Sequence, residues 1–321
     1  MGSTEIKKHP LSNPALASAL AALCAVIWGA SYPAIKLGYE FFAIEPHETA
    51  EKFLFAGIRF TAAGAVVILL AALKYLRLKS KGRGTAEFDL KPGDLPRITG
   101  LGLLHTAGQY LFFYIGLGYV SGAKGSIINA TSVFFSALIV HFLHADDRIT
   151  PRKALGIAVG FAGVIAVNFS SDLGFDFSFQ GEGFVAIAAL LLSAGSIYGR
   201  TLTKRLNSGI VAGGNFLAGG LALLIGGLAG DARFGSPAAP AYVVLAFLVA
   251  SSAFTGTLWA ALLTHNRVSS ITVYNFIIPF SGALLSAVFL GDSVFELRYG
   301  LALPAVCAGV YLVNMRGRRC T

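Results

Sequence analysis

Ala162-Gly163-Val164-Ile165-Ala166-Val167-Asn168 is answered 146 residues later by Ala308-Gly309-Val310-Tyr311-Leu312-Val313-Asn314, with five of seven positions identical. The correspondence extends upstream of both stretches. Phe142-Leu143 pairs with Phe289-Leu290 at an offset of 147, and in that register Gln109 falls on Gly256 and Phe112 on Trp259. The stretch from His105 to Asn168 is therefore written again between Ser252 and Asn314. A duplication of this length makes each half of the chain one structural unit.

The 321 residues are 55% hydrophobic and 13% charged, against about 25% charged in soluble domains. This is the composition of a polytopic membrane protein. A net charge of +9 would suggest nucleic acid for a soluble chain, but no basic patch interleaved with aromatics is present. The expected partners are the lipid bilayer and a small-molecule substrate, with no nucleic acid, and the chain is expected as a monomer or homodimer. Cys24, Cys307 and Cys320 have no paired spacing for a disulfide or metal site and decide nothing; no metal and no cofactor is expected, because no metal-ligand cluster or nucleotide-binding loop is visible. The polar stretch 1–13 precedes an apolar run without a small-residue cleavage site, and no removable signal peptide is expected.

Crossing a hydrocarbon core takes about 20 apolar residues, and ten runs qualify: 15–37, 52–74, 96–118, 121–143, 151–169, 182–203, 208–229, 240–264, 268–290 and 296–315. Basic residues test that assignment, because they collect on the cytoplasmic side. Alternate connections hold Lys7 and Lys8; Lys74, Arg77, Lys79, Lys81, Arg83, Lys91 and Arg97; Arg148, Arg152 and Lys153; Arg200, Lys204 and Arg205; Arg267; and Arg316, Arg318 and Arg319. That is 19 of the 25 Lys and Arg residues. Glu40, Glu45, Glu48, Glu51, Asp172 and Asp176 occupy the opposite side. Both termini are expected in the cytoplasm. The basic, glycine-containing connection 75–95 is the one candidate for a flexible cytoplasmic loop.

Five crossings per repeat is an odd number, so the second copy must enter the membrane from the side opposite to the first. The expectation is an all-α membrane protein of ten transmembrane helices in two inverted five-helix repeats. The first repeat covers 15–169 and the second 182–315, flanked by cytoplasmic ends at 1–14 and 316–321. Inverted repeats are the architecture of many secondary transporters, with a site near the midplane exposed to each side in turn.

The residues also carry a resemblance. Ile27-Trp28-Gly29-Ala30-Ser31, Ala123-Lys124-Gly125-Ser126-Ile127-Ile128-Asn129-Ala130, Phe289-Leu290-Gly291-Asp292 and the two Ala-Gly-Val endings resemble the drug/metabolite transporter superfamily, specifically its EamA-type members. The resemblance covers about 15 to 315. It implies ten helices in inverted repeats and a carrier of a small metabolite, usually an exporter. The family spans amino acids, their relatives and quaternary amines, so no substrate follows from it. Asp292 stands where Glu is usual, and His144-Ala145-Asp146-Asp147 replaces the pattern in the first repeat.

Polar and aromatic residues inside spans are costly in lipid and mark protein-facing or water-facing surfaces. His105, Gln109, Phe112 and Gly116 form one stripe at helical spacing, and its repeat mate Ser252, Gly256 and Trp259 is polar and aromatic too. Trp28 and Tyr32 share a face of span one, which Pro33 is expected to bend. Asn129, Tyr274 and Asn275 bring groups able to hold a polar solute, and Tyr114 and Tyr198 add hydroxyls. Trp28, Tyr32, His105, Gln109, Tyr114, Asn129, Tyr198, Trp259, Tyr274 and Asn275 are the expected substrate-binding residues. Gly156 and Gly160, with Ala305 and Gly309, have spacing that lets helices approach closely, within one chain or across a dimer.

No Asp or Glu lies deep inside a span, so a carboxylate proton relay has no obvious residue. Arg59 is the only deeply placed full charge, and pairing with carbonyls or snorkelling competes with binding a substrate carboxylate. His105 is the single histidine well inside a span and the candidate for proton coupling. No nucleotide-binding loop, metal cluster or nucleophile with a paired base is visible. No catalytic residue is assigned and no enzyme is expected, a membrane-embedded enzyme or receptor being the distant alternative. The leading reading is export of an amino acid or related polar or amphipathic metabolite by alternating access. Its rival is a quaternary amine such as choline, held by an aromatic cage of Trp28, Trp259, Tyr32 and Tyr114.

Overall fold

The computed structural model describes residues 10–82, 84–143, 149–167, 176–235, 237–266, 271, 273–292 and 296–314. These residues form ten helices and no strand. They are α1 (Pro14–Phe41), α2 (Thr49–Ser80), α3 (94–119), α4 (Gly122–Leu143), α5 (Pro151–Val167), α6 (Phe179–Thr203), α7 (Ser208–Ala229), α8 (Ala239–His265), α9 (273–290) and α10 (Leu297–Asn314). Each coincides with one of the ten expected spans. The expected loop residues Arg148, Asp172 and Arg267, and both ends of the chain, lie outside the described residues.

Local chemistry sets the helix boundaries. Asn13 Oδ1 accepts from the Ala15 and Leu16 amides at 3.0 and 3.4 Å, with Pro14 at the first position, and so satisfies amides that have no partner within the helix. Asn207 caps α7 in the same way, through Gly209 N at 2.9 Å. Ser178 accepts from Gly181 N while Glu182 accepts from Ser178 N, a reciprocal cap that opens α6. Helix α2 has 32 residues, about 48 Å at 1.5 Å per residue. It therefore projects beyond the bilayer.

Three helices are irregular at depth. α3 widens into a π-helical stretch at Gly102–Gly108. α4 breaks at Ala130, between Gly122–Asn129 and Thr131–Leu143. α9 begins as a tight 3-10 turn, Val273–Phe276, before Ile277–Leu290. Such interruptions are tolerated in a bilayer only where the backbone is enclosed by protein or lines a cavity.

The packing has a two-fold logic. α1 packs on α8 and α9, and α6 packs on α3 and α4; α3 meets α7, and α8 meets α2; α2 pairs with α7, and α5 with α10. Exchanging every helix for the one five places along leaves this map unchanged. The repeats are thus interleaved rather than side by side. The α2–α7 seam is glycine-lined: a Cβ on Gly64 would fall 2.5 Å from the Leu217 nitrogen, and one on Gly220 2.4 Å from that of Thr61. Gly156 and Gly309 hold α5 against α10 in the same way, so these small residues serve contact within the chain. Leu69, Leu70, Leu73, Val243 and Val288 are exposed and present apolar surface to lipid.

The connection after α2 corrects one expectation. Glu87 accepts from Lys74 Nζ and Asn207 Nδ2, each at 3.0 Å, and its carbonyl accepts from Asn207 N at 2.7 Å. Asp94 is paired with Arg205. That guanidinium, with the Lys91 amide, holds the Asp94 carboxyl below the usual carboxylate range. Two acids in a basic segment pin it to the α6–α7 turn, so much of this loop is anchored rather than free.

Candidate substrate site

The centre of the molecule is organised around Arg59. It lies ten residues into α2, about 15 Å along the axis at 1.5 Å per residue, and only 4% of it is exposed. Its Nε donates to Ser252 Oγ of α8, and its Nη1 to the Tyr114 hydroxyl of α3, both at 3.0 Å. The guanidinium also lies 4.8 Å from the centre of the Phe60 ring. Ser252 in turn donates to Leu248 O at 2.9 Å, and the Tyr39 hydroxyl of α1 donates to the Tyr114 carbonyl at 2.7 Å. Among the described residues no carboxylate pairs with Arg59.

Rings connect this cation to a polar group across the core. Tyr114 meets Tyr110 and Phe113 at 5.9 and 6.1 Å, Phe113 meets Tyr32 at 5.6 Å, and the Tyr32 hydroxyl accepts from Asn129 Nδ2 at 2.8 Å. Asn129 is the last residue before the break in α4. Its Oδ1 is buried and has no hydrogen-bond partner among the described residues; the same holds for Oδ1 of Asn275, in the 3-10 turn of α9, and for Gln109 Oε1. An unsatisfied buried acceptor costs about 1–3 kcal/mol.

Trp28 and Trp259 meet edge to face with centroids 4.7 Å apart, joining the middle of α1 to α8. Tyr274 packs beside Trp259 in the cluster around Ala17, Ala21, Leu262 and Ile271. The structure thus brings six expected residues, Trp28, Tyr32, Tyr114, Asn129, Trp259 and Tyr274, into the core between α1, α3, α4, α8 and α9, in two aromatic groups. His105 and Tyr198 lie elsewhere. The stripe carrying His105 turns toward α6: its ring abuts Gly195, Phe112 meets Phe184 at 5.1 Å, and Gly116 faces Gly181 and Val185. His105 Nε2 is 3.3 Å from Ser196 Oγ, and Nδ1 is 3.3 Å from Asn215 Nδ2. The Tyr198 hydroxyl donates to Arg97 O at 3.4 Å, in a cluster with Ile98, Leu101 and Leu202.

At the end of the bundle bearing the 119–122 and 176–182 segments, charges link the repeats. Lys124 of α4 is paired with Glu182 of α6 and lies 3.6 Å from Asp176. Asp292, at the end of α9, accepts from Ala123 N at 3.1 Å. Lys36 Nζ of α1 donates to the Leu117 and Val120 carbonyls at 3.2 and 3.0 Å. These bonds tie α1, α3, α4, α6 and α9 together over the aromatic core.

Ten interleaved helices in two repeats, with unspent polar groups buried between them, define a membrane transporter. The comparisons agree. The EamA-like transporter family matches residues 15–169 and 179–315, and the chain belongs to that family. It is 25% identical over 303 residues to an uncharacterised transporter of Archaeoglobus fulgidus, covering 91% of this chain and 96% of that one. It is 27% identical over 293 residues to the uncharacterised inner membrane transporter YedA of Escherichia coli, covering 90% and 88%. A solved crystal structure superimposes with a TM-score of 0.64 at 18% identity, covering 92% and 96%, a likeness of fold.

Sequence reasoning weighed Arg59 but left it outside the site. Its two bonds come from α3 and α8, distant stretches that only folding assembles. Asn129 and Asn275 were visible as polar residues of corresponding spans, but not as residues left without a donor.

Proposed function

We propose that this transporter moves an amino acid or closely related polar or amphipathic metabolite across the cytoplasmic membrane by alternating access, in the direction of export, with both termini cytoplasmic. The observation that supports this most is the pair Asn129 and Asn275. They stand in corresponding spans of the two repeats, each at an irregular point of its helix, and among the described residues each buries an amide oxygen without a donor. An ammonium or amide group supplies the missing donors. Because the repeats are inverted, one asparagine lies toward each face of the membrane, so a substrate exchanged between them moves across the midplane.

The quaternary-amine reading rests on the Trp28–Trp259 pair. A cation over an indole is attracted, but here each ring occupies the other's place, and a quaternary ammonium has no N–H to offer the asparagine oxygens. The test is counterflow in proteoliposomes loaded with single L-amino acids or with choline. Counterflow with an amino acid, lowered about tenfold or more by Asn129→Ala and by Asn275→Ala, is expected. Counterflow with choline and with no amino acid overturns the proposal.

A further inference from the structure

We propose that Arg59 is the subsite for a singly charged carboxylate of the substrate, so that a ligand must carry one such anionic group to be held. The proposal deepens the amino-acid reading and rests on it only for the ligand's other end.

The argument is one of donors and acceptors. Arg59 uses Nε on Ser252 and Nη1 on Tyr114, and both acceptors are neutral hydroxyls. Among the described residues Nη2 makes no bond. The Tyr114 oxygen receives from Arg59, which leaves its own proton without an acceptor. The Tyr110 ring belongs to the same cluster, and among the described residues its hydroxyl makes no hydrogen bond. Nη2, Tyr114 O–H and Tyr110 O–H therefore form a set of donors around a buried positive charge, and among the described residues no acceptor answers them. A buried guanidinium without a counter-charge is costly, and a carboxylate is the planar, bidentate partner its geometry fits.

The local charge limits the ligand's own charge. The other basic side chains of this half of the bundle, Lys36, Lys52 and Lys124, lie toward its end, with Nζ on the carbonyls of Leu117, Val120 and Pro46 and on Glu182, and leave Arg59 as the charge in the aromatic core. One free guanidinium neutralises one negative charge. A phosphate dianion would bring an excess charge into the core, and a cation without an acidic group would meet Arg59 as a like charge. Packing offers a competing account, in which Arg59 only ties α2 to α3 and α8. That account predicts no dependence on the ligand's carboxyl group.

The experiment measures thermal stabilisation and competition in counterflow with the purified full chain. The probes are the twenty standard L-amino acids, the amide of each, the corresponding decarboxylated amines and the corresponding des-amino carboxylates. The best amino acid is expected to outcompete its amide by about 30-fold or more. Arg59→Gln is expected to remove that preference by weakening the acid while leaving the amide within about threefold. Tyr114→Phe, which keeps the ring, is expected to cut the preference about fivefold and serves where Arg59→Gln does not fold. An amide that competes as well as its acid overturns the proposal, as does a preference that survives in both variants. If des-amino carboxylates compete through Arg59 and amino acids do no better, the subsite stands and the amino-acid reading falls. If decarboxylated amines outcompete every acid, both fall.

Discussion

Asn129 and Asn275 stand in α4 and α9, corresponding spans of the two repeats, and both keep a buried side-chain oxygen that no donor reaches among the described residues. They differ in one respect. Asn129 spends its amide nitrogen on the Tyr32 hydroxyl at 2.8 Å, whereas no hydrogen bond of Asn275 is present among the described residues. Asn275→Leu therefore removes an unsatisfied acceptor without breaking a bond. It is expected to leave stability unchanged or raise it by about 1 kcal/mol, while lowering counterflow tenfold or more. Thermal unfolding in detergent beside counterflow checks this, and a parallel fall in both would reduce Asn275 to a packing residue.

The glycine seam predicts a contrast in stability. A Cβ on Gly64 meets the Leu217 backbone at 2.5 Å, while one on Gly100, also helical, meets nothing within 4 Å. Gly64→Ala forces α2 and α7 apart and is expected to cost about 1–3 kcal/mol. Gly100→Ala is expected to gain up to about 1 kcal/mol from helix propensity. Equal melting temperatures for the two variants would contradict the seam.

Sequence alone made the ten helices legible because hydrophobic runs of fixed length and alternating basic connections are local signals. The inverted arrangement followed from an odd number of spans in a duplicated unit. The site was less legible, for a physical reason. Trp28, Tyr32 and Asn129 declared themselves as polar or aromatic residues in mid-span, but helical spacing alone gives a stripe without saying which neighbour it faces. His105 and Gln109 share a stripe with a polar repeat mate, yet His105 is spent on α6 and α7, through Ser196 and Asn215. The anchoring of the connection after α2 was equally hidden, since Asn207 and Arg205, which hold Glu87 and Asp94 to the α6–α7 turn, lie more than 100 residues away.

His105 supplies the next prediction. Both ring nitrogens already face polar partners, and Gly195 lies against the ring. His105→Gln keeps a polar side chain that cannot titrate. In vesicles under an imposed pH gradient, its flux is expected to show the same gradient dependence as the parent. A lost or reversed dependence would make His105 the proton-coupling group.

Orientation is tested by labelling. With the native cysteines replaced, a cysteine at Glu45, exposed in the first connection, is expected to react with an impermeant thiol reagent in intact cells. One at Thr85, in the connection pinned by Glu87, is expected to react only after the membrane is opened. The reverse pattern would invert the bundle.

The last prediction concerns the ionic cover over the core. Lys124 is 6% exposed and paired with Glu182, itself 5% exposed, so the pair joins α4 of the first repeat to α6 of the second in a poorly solvated place. Without Glu182 the buried Lys124 ammonium keeps only the exposed Asp176 carboxylate, 3.6 Å away, and the Asp176 carbonyl, which destabilises the state that contains the pair. Alternating access requires a second state in which these helix ends part, and there Lys124 regains water. Glu182→Gln is therefore expected to shift the population toward that state rather than unfold the protein. The reporter is a cysteine at Ser126, fully buried one half-turn below Lys124. In intact cells it is expected to react with an impermeant reagent about tenfold faster when Glu182→Gln is present. A Lys124→Met, Glu182→Leu double variant, which removes both charges, is expected to return the rate toward that of the parent, because no stranded charge then favours opening. Equal labelling in all three backgrounds would show that the pair stabilises the fold without gating it.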